Sequence, residues 1–200
     1  MTTPDGIKKL AAAFAKLPSI GPRQALRLAF YLAESNKELL QEISVASAIL
    51  NGTKICRECF FVHENKNELC SICDDASRAS GVIAVIEKAT DLLSLERTKK
   101  FLGRYLVLGD LKKTGVLDPE QKLRLDTLKE FIGKKLGGQS EEIILAISPT
   151  AYGDLNASML LTELQPFAKK ISRLGRGIPT GGEIEFADEE TLKSSLEGRK

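Results

Sequence analysis

The four cysteines of this 200-residue chain lie within eighteen positions, in the stretch CRECFFVHENKNELCSIC at 56–73. They form two Cys-x-x-Cys pairs. Two residues between the cysteines of a pair allow one tight turn to aim both thiolates at a single point, and two such turns supply the four sulfur ligands of tetrahedral zinc. The spacing therefore predicts one structural Zn²⁺ ion per chain with no coordination position left for a reactive water, held by Cys56, Cys59, Cys70 and Cys73.

Two other kinds of cysteine chemistry compete with zinc. A redox-active dithiol is one, although thioredoxin-like motifs do not usually occur doubled. A pair of disulfides is the other, although thiols stay reduced in the cytoplasm. His63, the one histidine, lies between the cysteine pairs, and we expect it to be a solvated loop residue. We predict a hairpin tip over 60–69, and a module of about twenty residues needs a metal to stay folded, so it acts as a brace between larger parts.

A second candidate site lies in LPSIGPRQALR at 17–27. The sequence predicts two helices joined by a compact turn, because Pro18 stops the first helix and Pro22 suits the first position of the second. The N-terminus of the second helix suits a phosphate, and Arg23 and Arg27 add two cations on one exposed face. A helix-hairpin-helix unit binds a DNA backbone in this way without reading bases. A plain helical hairpin with a solvated arginine face fits the spacing equally well.

Two carboxylates form the third candidate site. Glu87 follows the apolar run GVIAVI, which predicts a buried strand of a parallel sheet, and Asp154 lies in the loop after the predicted strand EEIILAIS. Ligands of such sheets gather outside the carboxyl ends of the strands, so these acids are candidates to hold Mg²⁺ beside a phosphate. Catalysis of that kind generally needs a denser acidic cluster, and Tyr152 stands two residues before Asp154. Helix-capping or surface acids are the alternative.

The predicted secondary structure that must position these residues differs before and after the cysteines. Three helical segments precede them; the third is predicted to open with a capping box at Ser35 and to bury one face. Strands alternating with helices follow, which predicts an α/β domain with a largely parallel sheet. The residues predicted to line the buried face of the third helix are Leu39, Ile43, Ala46 and Leu50. The predicted strands are 81–87, 104–109, 141–148 and 170–174, and a helix is predicted over 155–170.

Composition and charge limit where the protein is expected to act and what it is expected to bind. The net charge is +2 and the hydrophobic share is 42%. No apolar run approaches the roughly 18–20 residues of a membrane span, and the first ten residues do not resemble a secretory signal, so we expect a cytoplasmic protein without a membrane partner. A near-neutral charge neither requires nor excludes nucleic acid, which would have to bind at local basic patches.

Taken together, these stretches resemble the RecR family of bacterial recombination mediators. The resemblance implies a multi-part α+β and α/β chain with a helix-hairpin-helix region over 1–54, a four-cysteine zinc finger over 55–76, a Toprim-like domain over 79–173 and a Walker-B-like C-terminal tail over 174–200. The matching stretches are LPSIGPRQALRLAF, the four cysteines, GVIAVIEKATDL, GRYLVLGD, IILAISPTAYGD and SRLGRGIPTGGEIEFADEETL.

The family resemblance also implies a function. It indicates a non-enzymatic DNA repair protein that binds single- and double-stranded DNA without sequence preference and forms dimers and ring-shaped tetramers. Such a protein acts with RecO or RecF to load RecA onto single-stranded DNA coated by SSB, at the nucleoid. By position, Arg23 and Arg27 become DNA contacts, Glu87 matches the Toprim glutamate, and Asp154 falls in a loop implicated in partner binding.

Two departures from the family pattern keep alternatives open. Ser19 replaces a glycine of the hairpin, and serine lacks glycine's freedom at positive φ. Tyr152 replaces an acid of the loop after the third predicted strand, which weakens any catalytic metal site. A Toprim-type, Mg²⁺-dependent nuclease or primase-like enzyme remains the main alternative, and a zinc-braced protein-interaction module without nucleic acid is the second.

Overall fold

The computed structural model of the chain describes residues 2–35 and 37–199. Two compact units make up the chain, Met1–Thr53 and Lys54–Lys200. The capping box predicted at Ser35 lies outside the described residues, because the side chain of Ser35 is not among them. None of the described helices combines the length and the hydropathy that a membrane-spanning segment needs.

The first unit consists of three helices: α1 (Asp5–Phe14), α2 (Pro22–Ser35) and α3 (Lys37–Leu50). Helices α1 and α2 form the predicted hairpin. Ala25, Ala29 and Leu32, which share one face of α2, are its buried residues. Pro22 begins α2 as predicted, because proline's fixed φ suits the first helical turn and its missing N–H is not needed there. This arrangement leaves the opposite face of α2 for other contacts.

The turn between α1 and α2 retains its compact geometry in spite of the serine. Ser19 adopts φ 64°, in the left-handed region that favours glycine. The Ile20 N–H donates to the Leu17 carbonyl at 3.3 Å, and the Leu17 N–H donates to the Phe14 carbonyl at 3.0 Å. The departure at Ser19 is therefore accommodated by a strained backbone and not by a different turn.

The prediction that α3 buries one face is wrong for this unit. No described residue of α3 is buried, and Ile49 and Leu50 are 62% and 65% exposed. Val45 is also exposed. Of the face predicted to be buried, Leu39 is partly buried, whereas Ile43, Ala46 and Leu50 are exposed, so the 3.6-residue periodicity marks a face that the described chain does not bury.

The second unit contains two sheets and five helices. A two-stranded antiparallel sheet pairs β1 with β2, and a four-stranded parallel sheet has the order β4-β3-β5-β6. The strands are β1 (Lys54–Ile55), β2 (Val62–His63), β3 (Val82–Ile86), β4 (Arg104–Val107), β5 (Glu142–Ala146) and β6 (Ile171–Arg173). The helices are α4 (Ser71–Asp74), α5 (Ala89–Arg97), α6 (Pro119–Lys135), α7 (Ala151–Leu164) and α8 (Glu189–Glu197).

The parallel sheet confirms the predicted α/β architecture. The strand order reverses between β3 and β5, so the crevice outside their carboxyl ends is the place where ligands of such sheets bind. The central strands are nearly continuous runs of buried aliphatic residues, as expected for a sheet covered on both faces. Glu87 follows β3 directly and therefore lies at this edge.

Two boundaries differ from the predictions. Helix α7 begins at Ala151 and ends at Leu164, because the Thr150 side chain caps it by accepting the Gly153 N–H at 3.0 Å. A Cβ at Gly153 would lie 1.9 Å from the Ser148 carbonyl oxygen, so only glycine fits there. Asp154 consequently lies in the first turn of a helix and not in a loop.

The hairpin of the cysteine module also differs from its prediction. Strand β2 pairs with β1, so the hairpin encloses Cys56 and Cys59 instead of lying between the two cysteine pairs. The tight turn that joins β1 to β2 contains Phe60 at φ 62°. A large aromatic residue rarely adopts a left-handed backbone, so the surrounding contacts must hold it there.

We predict that Ser19→Gly raises the stability of the first unit by about 0.5–1 kcal/mol, because glycine removes the left-handed strain at a smaller cost in chain entropy. Urea denaturation followed by circular dichroism measures the change. The matched control is Ser47→Gly on α3, where the same substitution should cost about 0.5 kcal/mol because glycine is a poor helix former. Equal or lower stability for Ser19→Gly would show that the turn is not strained.

Candidate functional site

The four cysteines form a closed cluster in the second unit. All are at most 4% exposed, and their Sγ atoms lie within 4.8 Å of one another. Cys59 and Cys70 have their Sγ atoms 3.5 Å apart, too far for a disulfide, and all four thiols are free. A tetrahedron of sulfurs around zinc has edges of about 3.8 Å. Among the described residues, this is the one group of three or more metal-ligating side chains.

The chemistry of this donor set suits a cation. Contact with the Cys56 sulfur raises the pKa of Cys59 and Cys73, and burial raises both further. The Cys70 N–H donates to the Cys56 Sγ at 3.4 Å, a bond that favours a thiolate there. Four buried sulfurs in contact cannot all ionise unless a positive charge lies among them. The cluster therefore fits a metal ion and does not fit four independent thiols.

The cysteine module is attached to the edge of the parallel sheet. The Val107 N–H donates to the Cys59 carbonyl at 2.9 Å, and the Glu58 carboxylate forms an ion pair with Arg104 on β4 at 2.7 Å. The Phe60 ring packs against the buried residues on both faces of the sheet. Cys59 and the preceding residue, Glu58, thus bond directly to the edge strand.

His63 is not the solvated residue that the sequence suggested. It lies in β2 and is buried, and its Nδ1 accepts the Asn65 N–H at 3.1 Å. Its Nε2 is buried without a hydrogen-bond partner among the described atoms. The strand that buries His63 has only two residues, so the sequence carried almost no periodic signal for its burial.

Arg23 and Arg27 lie one helical turn apart on α2, and both are exposed. Neither makes an ion pair or a hydrogen bond with any residue in the described part of the chain. They follow the α1–α2 turn and lie on the face opposite Ala25 and Ala29. Two unpaired guanidinium groups beside a helix N-terminus form a cationic surface of the kind that binds phosphates.

Glu87 and Asp154 each have partners of their own. The Glu87 Oε1 atom accepts the Leu111 N–H at 3.1 Å. Asp154 pairs with Arg173 at 2.8 Å and with Arg176 in a second ion pair. The bond to Arg173 and the charge of both guanidinium groups hold the pKa of Asp154 below its usual value. The structure therefore places both acids at the carboxyl end of the sheet and engages each of them separately.

Arg176 also pairs with Glu190 of α8 at 2.6 Å. The ion pairs that join Asp154, Arg176 and Glu190 are here called the C-terminal latch, because they connect α7 to the last helix. The Ile178 N–H adds a bond to the Ser195 Oγ at 3.2 Å. The sequence did not reveal these arginines as site residues, since only the fold brings positions 154, 176 and 190 together.

These parts together define a modular protein with a helical hairpin, a four-cysteine cluster and a parallel α/β domain. Its helical hairpin matches the family model described as RecR, helix-hairpin-helix over residues 7–49, and its parallel sheet matches the Toprim domain over 81–175. The C-terminal residues 177–200 match the model described as RecR, C-terminal.

Sequence identity to known proteins shows which family the chain belongs to. The chain is 39% identical to "Recombination protein RecR" of Chloroflexus aurantiacus, over 97% of this chain and 93% of the relative. It is 37% identical to the protein of the same name from Myxococcus xanthus, over 99% of this chain and 98% of the relative. The Frankia alni protein is 35% identical, over 97% and 96%. The chain belongs to the RecR family.

We predict that Arg176→Gln frees α8 and increases amide exchange of Glu189–Glu197 about two- to fivefold, the change expected from losing one or two partly exposed ion pairs. Hydrogen exchange with mass spectrometry measures this. Because the pKa of Asp154 is lowered, the Asp154 ion pairs of the latch are complete at neutral pH and are lost as the pH falls through that lowered value.

Arg173→Gln is the control for the latch. It removes an ion pair to Asp154 but leaves Arg176 paired with Glu190. Exchange in α8 should therefore change less than in Arg176→Gln. Equal exchange in α8 for the wild type and Arg176→Gln would contradict the latch.

Proposed function

We propose that this chain is a non-enzymatic recombination mediator that binds DNA as a clamp and acts with RecO or RecF to load RecA onto SSB-coated single-stranded DNA. The observation that carries the DNA-binding part is the pair of unpaired arginines on α2, next to a turn that keeps its compact form. Backbone contacts from such a surface are independent of base sequence. The membership of the RecR family supports the mediator role.

We assign the parts of the chain to separate tasks. Residues 1–54 form the DNA-binding helical region, 55–76 the zinc finger, 79–173 the Toprim domain and 174–200 the C-terminal segment. Zn²⁺ is the proposed metal, one per chain, held by the four cysteines. Four thiolates fill every coordination position of a tetrahedral ion. The ion therefore has a structural role and takes no part in a reaction on DNA.

Self-association follows from the exposed apolar face of α3. Val45, Ile49 and Leu50 form part of a surface that no described residue covers. Exposed apolar surfaces of this kind mark interaction sites. We infer that α3 contributes to a homodimer and, through it, to a homotetrameric ring. A ring retains DNA by encirclement, so a chain of low net charge is sufficient.

Partner binding is proposed for the carboxyl edge of the sheet. Glu87 is partly exposed there, and Tyr152 is 48% exposed with the Lys113 ammonium 5.1 Å from the centre of its ring. Asp154 is the weaker candidate for a RecO or RecF contact, because its carboxylate already binds two guanidinium groups. We place the protein in the cytoplasm with the nucleoid, where its thiols stay reduced.

The enzymatic alternative has less support from the site. A Toprim nuclease needs several carboxylates free to share Mg²⁺. Here Asp154 is paired with arginines and Glu87 accepts a backbone N–H. Tyr152 stands where the family pattern has a further acid. These arrangements favour a binding edge over a catalytic one.

We predict that the purified chain contains one zinc per chain and releases it as the pH falls, since protons compete with the metal for thiolates. Elemental analysis and a chromogenic zinc indicator measure both quantities. Cys59→Ser should lose most of the zinc, whereas Ser71→Ala, a change between the ligands at an exposed residue, should retain it. A metal-free wild-type chain that keeps its fold in the presence of chelators would disprove the zinc site.

We predict that Arg23→Ala/Arg27→Ala weakens DNA binding and lowers the slope of log affinity against log salt by about 1.4–1.8, the value for two lost phosphate contacts. Fluorescence anisotropy with single- and double-stranded DNA across a salt series measures the slope. The control is Arg97→Ala/Lys100→Ala, which removes the same charge from exposed positions of the second unit.

The same variants test the mediator role. With SSB, RecO and RecA from one organism, the wild type should accelerate RecA assembly on SSB-coated DNA, and the Arg23/Arg27 variant should not. Unchanged DNA binding in that variant would disprove the role of the arginines. Normal DNA binding by the wild type without acceleration of RecA would disprove the mediator function.

A further inference from the structure

Arg124 of α6 occupies an unusual position beside the cysteine module. Its side chain is mostly buried, and its Nη1 donates to the Val107 carbonyl at 2.9 Å. The guanidinium carbon lies 5.1 Å from the centre of the Phe60 ring, and the second Nη pairs with Glu120. Its Nε is buried without a partner among the described atoms. The side chain therefore contacts the cysteine module and the edge strand at the same time.

Val107 is fixed from both sides by this arrangement. Its N–H donates to the Cys59 carbonyl, and its carbonyl accepts from Arg124. Phe60 directly follows Cys59 in the chain, has a positive φ of 62°, and its ring lies under the Arg124 guanidinium. The last residue of β4 thus depends on the geometry of a metal ligand and on one arginine.

A short run of hydrogen bonds continues from Val107 to Glu87. The Leu108 N–H donates to the Ile86 carbonyl, and the Gly109 N–H donates to the Glu87 carbonyl, each at 2.9 Å. The Leu111 N–H then donates to the Glu87 carboxylate at 3.1 Å. Leu111, the donor to the Glu87 carboxylate, therefore lies only four positions after Val107, the residue that bonds to Cys59.

We propose that Arg124 is a positioning residue that couples the state of the four-thiol site to the order of residues 107–111 and hence to Glu87. When the metal is absent, the turn at Cys59 relaxes, the ring of Phe60 moves off Arg124, and Val107 loses the partner of its N–H. The Glu87 carboxylate then loses its fixed donor. The consequence for partners rests on the proposed role of Glu87 as a partner contact.

The alternative is a local effect, in which metal loss disorders only the cysteine module. The two cases differ in a measurable way, because only the coupling extends to 107–111 and depends on the guanidinium. Lys129 provides a matched comparison on the same helix. It pairs with Glu163 at 3.0 Å and lies 5.7 Å from the ring centre of Phe167, but it has no contact with the cysteine module among the bonds of the described residues.

Hydrogen exchange of the full chain, loaded with zinc or stripped with a chelator, tests the coupling. In the wild type, removal of zinc should raise exchange over 107–111 about tenfold and leave Ile143–Leu145 on β5 unchanged. Arg124→Met should show the raised exchange while zinc is still bound, and Arg124→Lys should be intermediate because lysine can reach the Val107 carbonyl but does not cover Phe60 in the same way. Lys129→Met should match the wild type.

The outcomes are distinguishable. If zinc-loaded Arg124→Met exchanges like the wild type over 107–111, or if zinc removal leaves 107–111 protected, the coupling is disproved. Should Arg124→Met not fold, the wild-type comparison with and without zinc decides alone. Binding of RecO to the same samples separates the two proposals: raised exchange with unchanged RecO binding retains the coupling and disproves the partner role of Glu87.

Discussion

The repulsion among four buried sulfurs is the constraint on which the second unit depends. Packed thiols at these distances cannot all ionise in an apolar setting, so a cation bound at their centre would stabilise the turn at Cys59 and Phe60. That turn presents a carbonyl to Val107 and an aromatic ring to Arg124. The positive φ of Phe60 is tolerable only because several contacts hold it. The cysteine module thereby becomes part of the edge of the parallel sheet, although its residues precede all four strands of that sheet in the chain.

Local features of the structure could be predicted from the sequence, and long-range pairs could not. The spacing of the cysteines, the aliphatic runs of the strands and the capping residues of α6 each depend on neighbouring residues alone. The partners of Asp154 lie 19 and 22 positions away in sequence, so only the folded sheet brings them together. For α3, periodicity correctly marked an apolar face, but burial depends on a covering surface that the described chain does not provide. His63 was misjudged because a two-residue strand gives almost no periodic signal.

The carboxyl edge of the sheet shows how a fold used by enzymes can provide a binding surface. Its acids are fixed by a backbone N–H in one case and by two guanidinium groups in the other. Charges held in this way are available for recognition but are poorly placed to share a metal ion. The departure at Tyr152 exposes an aromatic ring beside Lys113, so this edge carries less negative charge than an acid would give it. Recognition at this edge would depend on its shape and charge, which the loops and α7 supply.

The two outer strands of the parallel sheet are protected by different means. Strand β6 has only three residues, too few to recruit another strand efficiently. Strand β4 is blocked at Val107 by the carbonyl of Cys59. A chain whose cysteine turn loosened would therefore expose an unpaired stretch of β4, and an unpaired strand edge is a template for aggregation.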